Sequence, residues 1–113
     1  MATTFTKLKF SSSTDGMGIL LGNSSPGNLI HTASATALDE IWAWCQNTST
    51  TAVKVTVEYG GATAAQNIEV TVPGESGLLL VVPGLILTNS LTVKAFAGTT
   101  SVLTIHGYVN RIA

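Results

Sequence analysis

A chain of 113 residues with a net charge of −1 has room for one compact domain, residues 1–113, and one real core. Only 10% of its residues are charged while 45% are hydrophobic, against roughly 25% charged in ordinary soluble domains. The five cations Lys7, Lys9, Lys54, Lys94 and Arg111 are scattered, which excludes a nucleic-acid footprint, and the lone Cys45 excludes an intrachain disulfide scaffold.

So few charges leave Thr, Ser, Asn and small apolar residues to fill the outward positions. Such a surface tolerates being covered, because burying a hydroxyl costs far less than burying an ammonium or a carboxylate. The first ten residues lack the hydrophobic stretch and cleavage site of a secretory signal, and no apolar run is long enough to span a bilayer. A soluble chain made in a cytoplasm, without membrane contact, is the expectation.

Taken in chain order, Thr3 to Phe10 forms a strand with either Phe5 or the set Thr4, Leu8 and Phe10 facing inward. Residues 1–10 are also the candidate for an N-terminal arm that docks on a neighbouring chain. Met17 to Leu21 and Leu29 to Ala33 are short apolar pieces between loop-like stretches, and Ala35 to Glu40 is the one place for a helical turn. Ile41 to Gln46 is a strand with Trp42 and Trp44 on one face and Ile41, Ala43 and Cys45 on the other. Thr51 to Gly60 alternates cleanly: Val53, Val55, Val57 and Tyr59 face inward, while Lys54, Thr56 and Glu58 face water.

A loop over Gly60 to Gln66 joins that strand to a neighbour over Asn67 to Val72, and Pro73 to Gly77 is a turn by its residues. Leu78 to Val82 is apolar on both faces and is expected in the centre of a sheet, stopped by Pro83-Gly84. Leu85 to Thr88 and Leu91 to Ala97 straddle a tight connection at Asn89-Ser90. Ser101 to Arg111 closes the chain with Leu103, Ile105 and Val109 on the core face and Gly107 thinning it. Eight to ten short strands with frequent turns and no long helical pattern define an all-β, antiparallel β-sandwich; the count suits a jelly roll, with an immunoglobulin-like sandwich as the alternative.

Catalytic equipment is missing from this pattern. His31 and His106 lack partners at metal-ligand spacing and read as surface or hydrogen-bonded strand residues, so no metal and no cofactor is expected. Asp39 and Glu40 are the one adjacent carboxylate pair; neighbours in a strand would point to opposite faces, which does not suit a paired acid and base, and they read as solvated residues before the Trp42 strand. No serine sits in a nucleophile elbow, and Cys45 reads as a buried, inert thiol. The expectation is therefore a binding or assembly protein, not an enzyme. Trp42 and Trp44 supply either core bulk, the favoured reading, or an exposed platform for sugar stacking or protein contact. With Phe5, Leu8 and Phe10 they make up the candidate interface.

The stretches Ile68 to Gly77, Val81 to Leu87 and Ile105 to Ile112 resemble small virion structural proteins of tailed bacteriophages, closest in kind to capsid decoration (cement) proteins. The likeness covers about Leu38 to Ile112 and consists of turns and strand endings. It implies a β-sandwich, often a homotrimer, bound to the major capsid protein on the outside of the head, where it stabilises the mature shell. The virion surface is then its location, after synthesis in the host bacterial cytoplasm. The alternatives are a carbohydrate- or receptor-binding module of a phage tail or fibre, and a head–tail joining or tail component.

Overall fold

The computed structural model describes residues 3–113. Among the described residues, period-two alternation in β-branched, aromatic and Leu residues produces nine strands: β1 (Phe5–Leu8), β2 (Ile19–Leu20), β3 (Asn28–Thr32), β4 (Leu38–Asn47), β5 (Val53–Tyr59), β6 (Asn67–Val72), β7 (Leu79–Leu87), β8 (Thr92–Ala97) and β9 (Leu103–Ile112). One 3₁₀ turn, Ala64–Gln66, lies in the β5–β6 loop. Two antiparallel sheets pack face to face as a β-sandwich, with strand orders β1-β9-β4-β7 and β3-β8-β5-β6.

Short β2 pairs with β9 on the same edge as β1, so the two form one interrupted edge strand. Counted from the two ends inward, the pairs are then β1–β9, β3–β8, β4–β7 and β5–β6, nested inside one another. The β5–β6 hairpin expected across Gly60 to Gln66 is present in register, Val55 opposite Val70.

The core lies between the sheets and is built from the predicted parities. Ile41, Ala43 and Cys45 share one buried cluster with Val55, Val57 and Val93 of the other sheet, and Leu103, Ile105 and Val109 complete the β9 side. Gly107 thins that face as expected. A Cβ there would overlap the Trp42 carbonyl oxygen and come within 2.9 Å of Phe10 Cζ, so the Phe10 ring fills the space that the Ala43–Gly107 pair leaves.

Several expectations are overturned by packing. Leu78 to Val82 is not central: β7 is an edge strand that carries on through Pro83 and Gly84 with two register irregularities against β4. Proline lacks the N–H that a second neighbour would need, so an edge is where it fits. Its apolar outer residues Leu80 and Ile86 are exposed. Ala35 to Glu40 holds no helical turn; the Ser34 hydroxyl accepts the Thr36 and Ala37 N–H groups in a bend, and β4 begins at Leu38. The outer face of β5 is only partly wet. Thr56 and Glu58 are buried, and the Glu58 carboxylate accepts Ser25 Oγ and Gly27 N–H from the loop folded over it.

Residues 4–8 do not form a free arm. β1 pairs with β9 of its own chain, and Thr4 and Ala113 exchange backbone hydrogen bonds. Met1 and Ala2, the first part of the expected arm, lie outside the described residues. The Asn89-Ser90 turn forms with both residues at positive φ, 62° and 59°, and it carries the chain from β7 in one sheet to β8 in the other.

Candidate interaction face

The outer face of the five-stranded sheet follows directly from strand parity. With Ile41, Ala43 and Cys45 turned inward, Leu38, Glu40, Trp42 and Trp44 must point outward along β4. Their cross-strand partners on β9 are Ile112, Asn110, Tyr108 and His106. Phe5 and Lys7 extend the rows onto β1, while Ile86 and Leu80 extend them onto β7.

Trp42 and Trp44 are thus half-buried on the outside, and the core reading is corrected. The reason is steric. The inward sites opposite Gly107 and Ile105 are already filled by Ala43, Cys45 and the Phe10 ring, which leaves no volume for an indole.

The rings are held in place. Trp42 Nε1 donates to Glu40 Oε1 at 2.7 Å, and the indole occupies the space over Gly84, where a Cβ would lie 2.6 Å from its Cζ2. Trp44 lies near-parallel to Trp42 (centroids 6.2 Å apart, planes at 20°) and to Tyr108 (6.1 Å, 28°). Lys7 Nζ sits 4.8 Å from the Tyr108 ring centroid, a cation–π contact that closes the row. Around these rings Phe5, Leu20, Leu38, Leu80 and Ile86 are all exposed. The neighbouring His106 ring lies against Gly18, where a Cβ would come within 2.5 Å of its Cε1, and its Nε2 is buried without a hydrogen-bond partner among the described residues.

The other residues of the candidate interface separate. Phe5 is 65% exposed on this face, but Leu8 points inward against the core, and Phe10 is 1% exposed in the core itself, so it is corrected to a core residue. Tyr108, Leu38, Leu80 and Ile86 were missed. The signal for Tyr108 was present in the sequence, since its parity is opposite to that of Val109 and Ile105. Leu80 and Ile86 on β7 gave none, because an apolar run reads the same whether a strand is central or covered by a partner.

A buried charge cluster sits at one end of the sandwich and ties β3 of one sheet to β4 and β9 of the other. Asp39 is 0% exposed, which corrects the solvated reading. Arg111 donates to it through Nε at 2.7 Å and Nη2 at 2.9 Å, and the Ser34 N–H adds a third bond. His31 Nδ1 accepts the Ser11 N–H at 3.0 Å, so the ring proton is on Nε2 and is donated to Asp39 Oδ2 at 2.8 Å. Burial alone would raise the Asp39 carboxyl, but the hydrogen bonds from Arg111, His31 and Ser34 outweigh it and hold it at about 2. His31 is the hydrogen-bonded strand histidine expected.

Both ring nitrogens of His31 are engaged, Nε2 with Asp39 and Nδ1 with the Ser11 N–H, and the Ser11 hydroxyl accepts the Thr32 N–H. Burial pushes the Cys45 thiol to about 11, against a weaker opposing hydrogen bond at Thr104, so the thiolate is suppressed. Among the described residues there is no cavity, no cluster of three metal-ligating side chains and no helix long and apolar enough to cross a membrane. The feature with binding character is therefore the aromatic sheet face. No protein-family model, curated protein or solved structure matches the chain.

Proposed function

We propose that this protein is a non-catalytic assembly protein of a bacteriophage virion, a decoration protein that binds the major capsid protein in many copies and stabilises the mature shell. One observation carries the assembly reading: an aromatic row, Trp42, Trp44 and Tyr108, centred on an outer sheet face and surrounded by exposed Phe5, Leu38, Leu80 and Ile86. Trp and Tyr dominate the energetic centres of protein–protein contacts, and contiguous exposed apolar surface of this kind marks interaction sites. The virion assignment rests on the resemblance of Ile68 to Gly77, Val81 to Leu87 and Ile105 to Ile112. The nested pairing from the chain ends inward supports a jelly roll over an immunoglobulin-like order. A protein that binds only the assembled shell stabilises it by mass action, and attachment at several subunits adds avidity.

The test is the composition of purified virions before and after a mild chaotrope that leaves the shell intact. Release of many copies, with capsids then less heat-stable, is the expected result. A few copies lost together with tail proteins would overturn decoration in favour of a joining or receptor-binding role.

A second reading, a carbohydrate-binding module of a tail or fibre, is favoured by the near-parallel rings with Glu40 and Asn110 beside them. Glycan-induced quenching of the Trp42 and Trp44 fluorescence would support it, and a spectrum unchanged by millimolar oligosaccharides would remove it.

A further inference from the structure

We infer that the outer face of the five-stranded sheet is the seam between two copies of this chain, packed face to face about a twofold axis. The inference rests on the reading of that face as a protein-contact surface and names its occupant.

Register is the first support. A twofold axis running along the seam between β9 and β4 lays β9 of one copy over β4 of the second. Each β9 residue then opposes, on the second copy, the residue it already pairs with in its own sheet. Ile112 meets Leu38, Asn110 meets Glu40, Tyr108 meets Trp42 and His106 meets Trp44. Apolar side chains face apolar ones, an amide faces a carboxylate it can donate to, and rings face rings. The surface is complementary to itself, which is the requirement of an isologous interface.

Charge is the second support. The rows across the centre of the face carry Lys7 and Glu40, one of each sign, in the single row Lys7–Asn110–Glu40–Ile86. Rotation about the seam lays Lys7 of one copy over Ile86 of the other and Glu40 over Asn110, so no like charges are brought together.

Area is the third. With strands of 4, 2, 10, 10 and 9 residues, a spacing of ~4.8 Å and a rise of ~3.4 Å per residue give a flat face of roughly 570 Å². Side-chain relief raises the accessible area further, into the range of the ~800 Å² per partner that stable two-chain interfaces bury. Aligned sheets pack face to face in just this way inside a β-sandwich, within about 30° of parallel. The twofold arrangement differs from the threefold one implied by the decoration-protein resemblance, which makes the two separable by mass.

The experiment is sedimentation-velocity and light-scattering analysis of the full chain over a concentration series, alongside Leu80→Lys and Phe5→Lys. Leu29→Lys, an exposed leucine on β3 of the other sheet, is the control. The expected result is a dimer whose dissociation constant rises roughly 30-fold or more in the two face variants and is unchanged in Leu29→Lys. Should a face variant fail to fold, the wild type still decides: dilution through dissociation must shift the Trp42 and Trp44 emission to the red together with the loss of dimer mass. A monomer at the highest concentration, a trimer, or a dimer indifferent to both face variants would overturn the inference. A monomer that nevertheless binds purified capsids would overturn the pairing and leave decoration standing, whereas a dimer that binds none would do the reverse.

Discussion

Asp39 shows how much one residue can hold. Its carboxylate is fully buried and takes two bonds from Arg111, one from His31 and one from the Ser34 backbone, so it fastens both sheets and the bend before β4. Asp39→Asn strips the charge from that set and leaves a guanidinium beside a neutral amide. The expected loss is about 3 kcal/mol, toward the low end of buried-pair disruptions because part of Arg111 reaches solvent; the urea unfolding midpoint measures it. The same group sets an acid limit. Its folded value of about 2 lies below the ordinary 3.8, so its contribution is fully present above about pH 4 and is lost as pH falls from there through 2. That loss is roughly 2 kcal/mol. Urea unfolding followed from pH 5 to pH 2 should show this decline in the wild type and a shallower one in Asp39→Asn. From the sequence Asp39 reads as a solvated residue just before the Trp42 strand, because its partners His31 and Arg111 lie 8 and 72 positions away.

At the scale of elements, the β4–β9 pair is the axis on which everything else is arranged. Ten consecutive cross-strand pairs run from Leu38–Ile112 to Asn47–Leu103, and at Gly107 a Cβ would meet both the β4 backbone and the Phe10 ring. Gly107→Ala is expected to force β4 and β9 apart at a cost of about 3 kcal/mol. Gly77→Ala has open space around its Cβ and only its positive φ of 72° to contend with, so it should cost about 1 kcal/mol. Thermal melts of the two variants side by side decide this, and equal losses would contradict the close approach at Gly107. Strand positions and parities were largely legible in the sequence, as the β5–β6 hairpin and the Leu103, Ile105 and Val109 face show. The place of β7 was not. An apolar run records only that both faces avoid water, and either a second layer of the same chain or a partner can satisfy it.

For the whole molecule, the pairing of the first strand with the last makes the fold depend on contacts distant in sequence. Such topologies fold slowly, on the order of milliseconds to seconds. The core is one continuous cluster shared by both sheets, so the sheets should unfold together. Trp42 and Trp44 report on one sheet while far-UV circular dichroism reports on both. Their urea transitions should superimpose, and a fluorescence transition at lower urea would mean that the five-stranded sheet opens first.

What the sequence determined by itself is the all-β class, most strand locations, the turns at Gly60 to Gln66, Pro73 to Gly77 and Asn89-Ser90, and the division of Ile41 to Gln46 into an indole face and a small-residue face. These are local properties of alternation, branching and turn chemistry, and they hold wherever the segment is placed. Only the tertiary structure decided which of those two faces is inside. Both are apolar, so hydrophobicity does not choose between them. Volume does: the Phe10 ring over the Ala43–Gly107 pair fills the interior, and the indoles are left on the outer face.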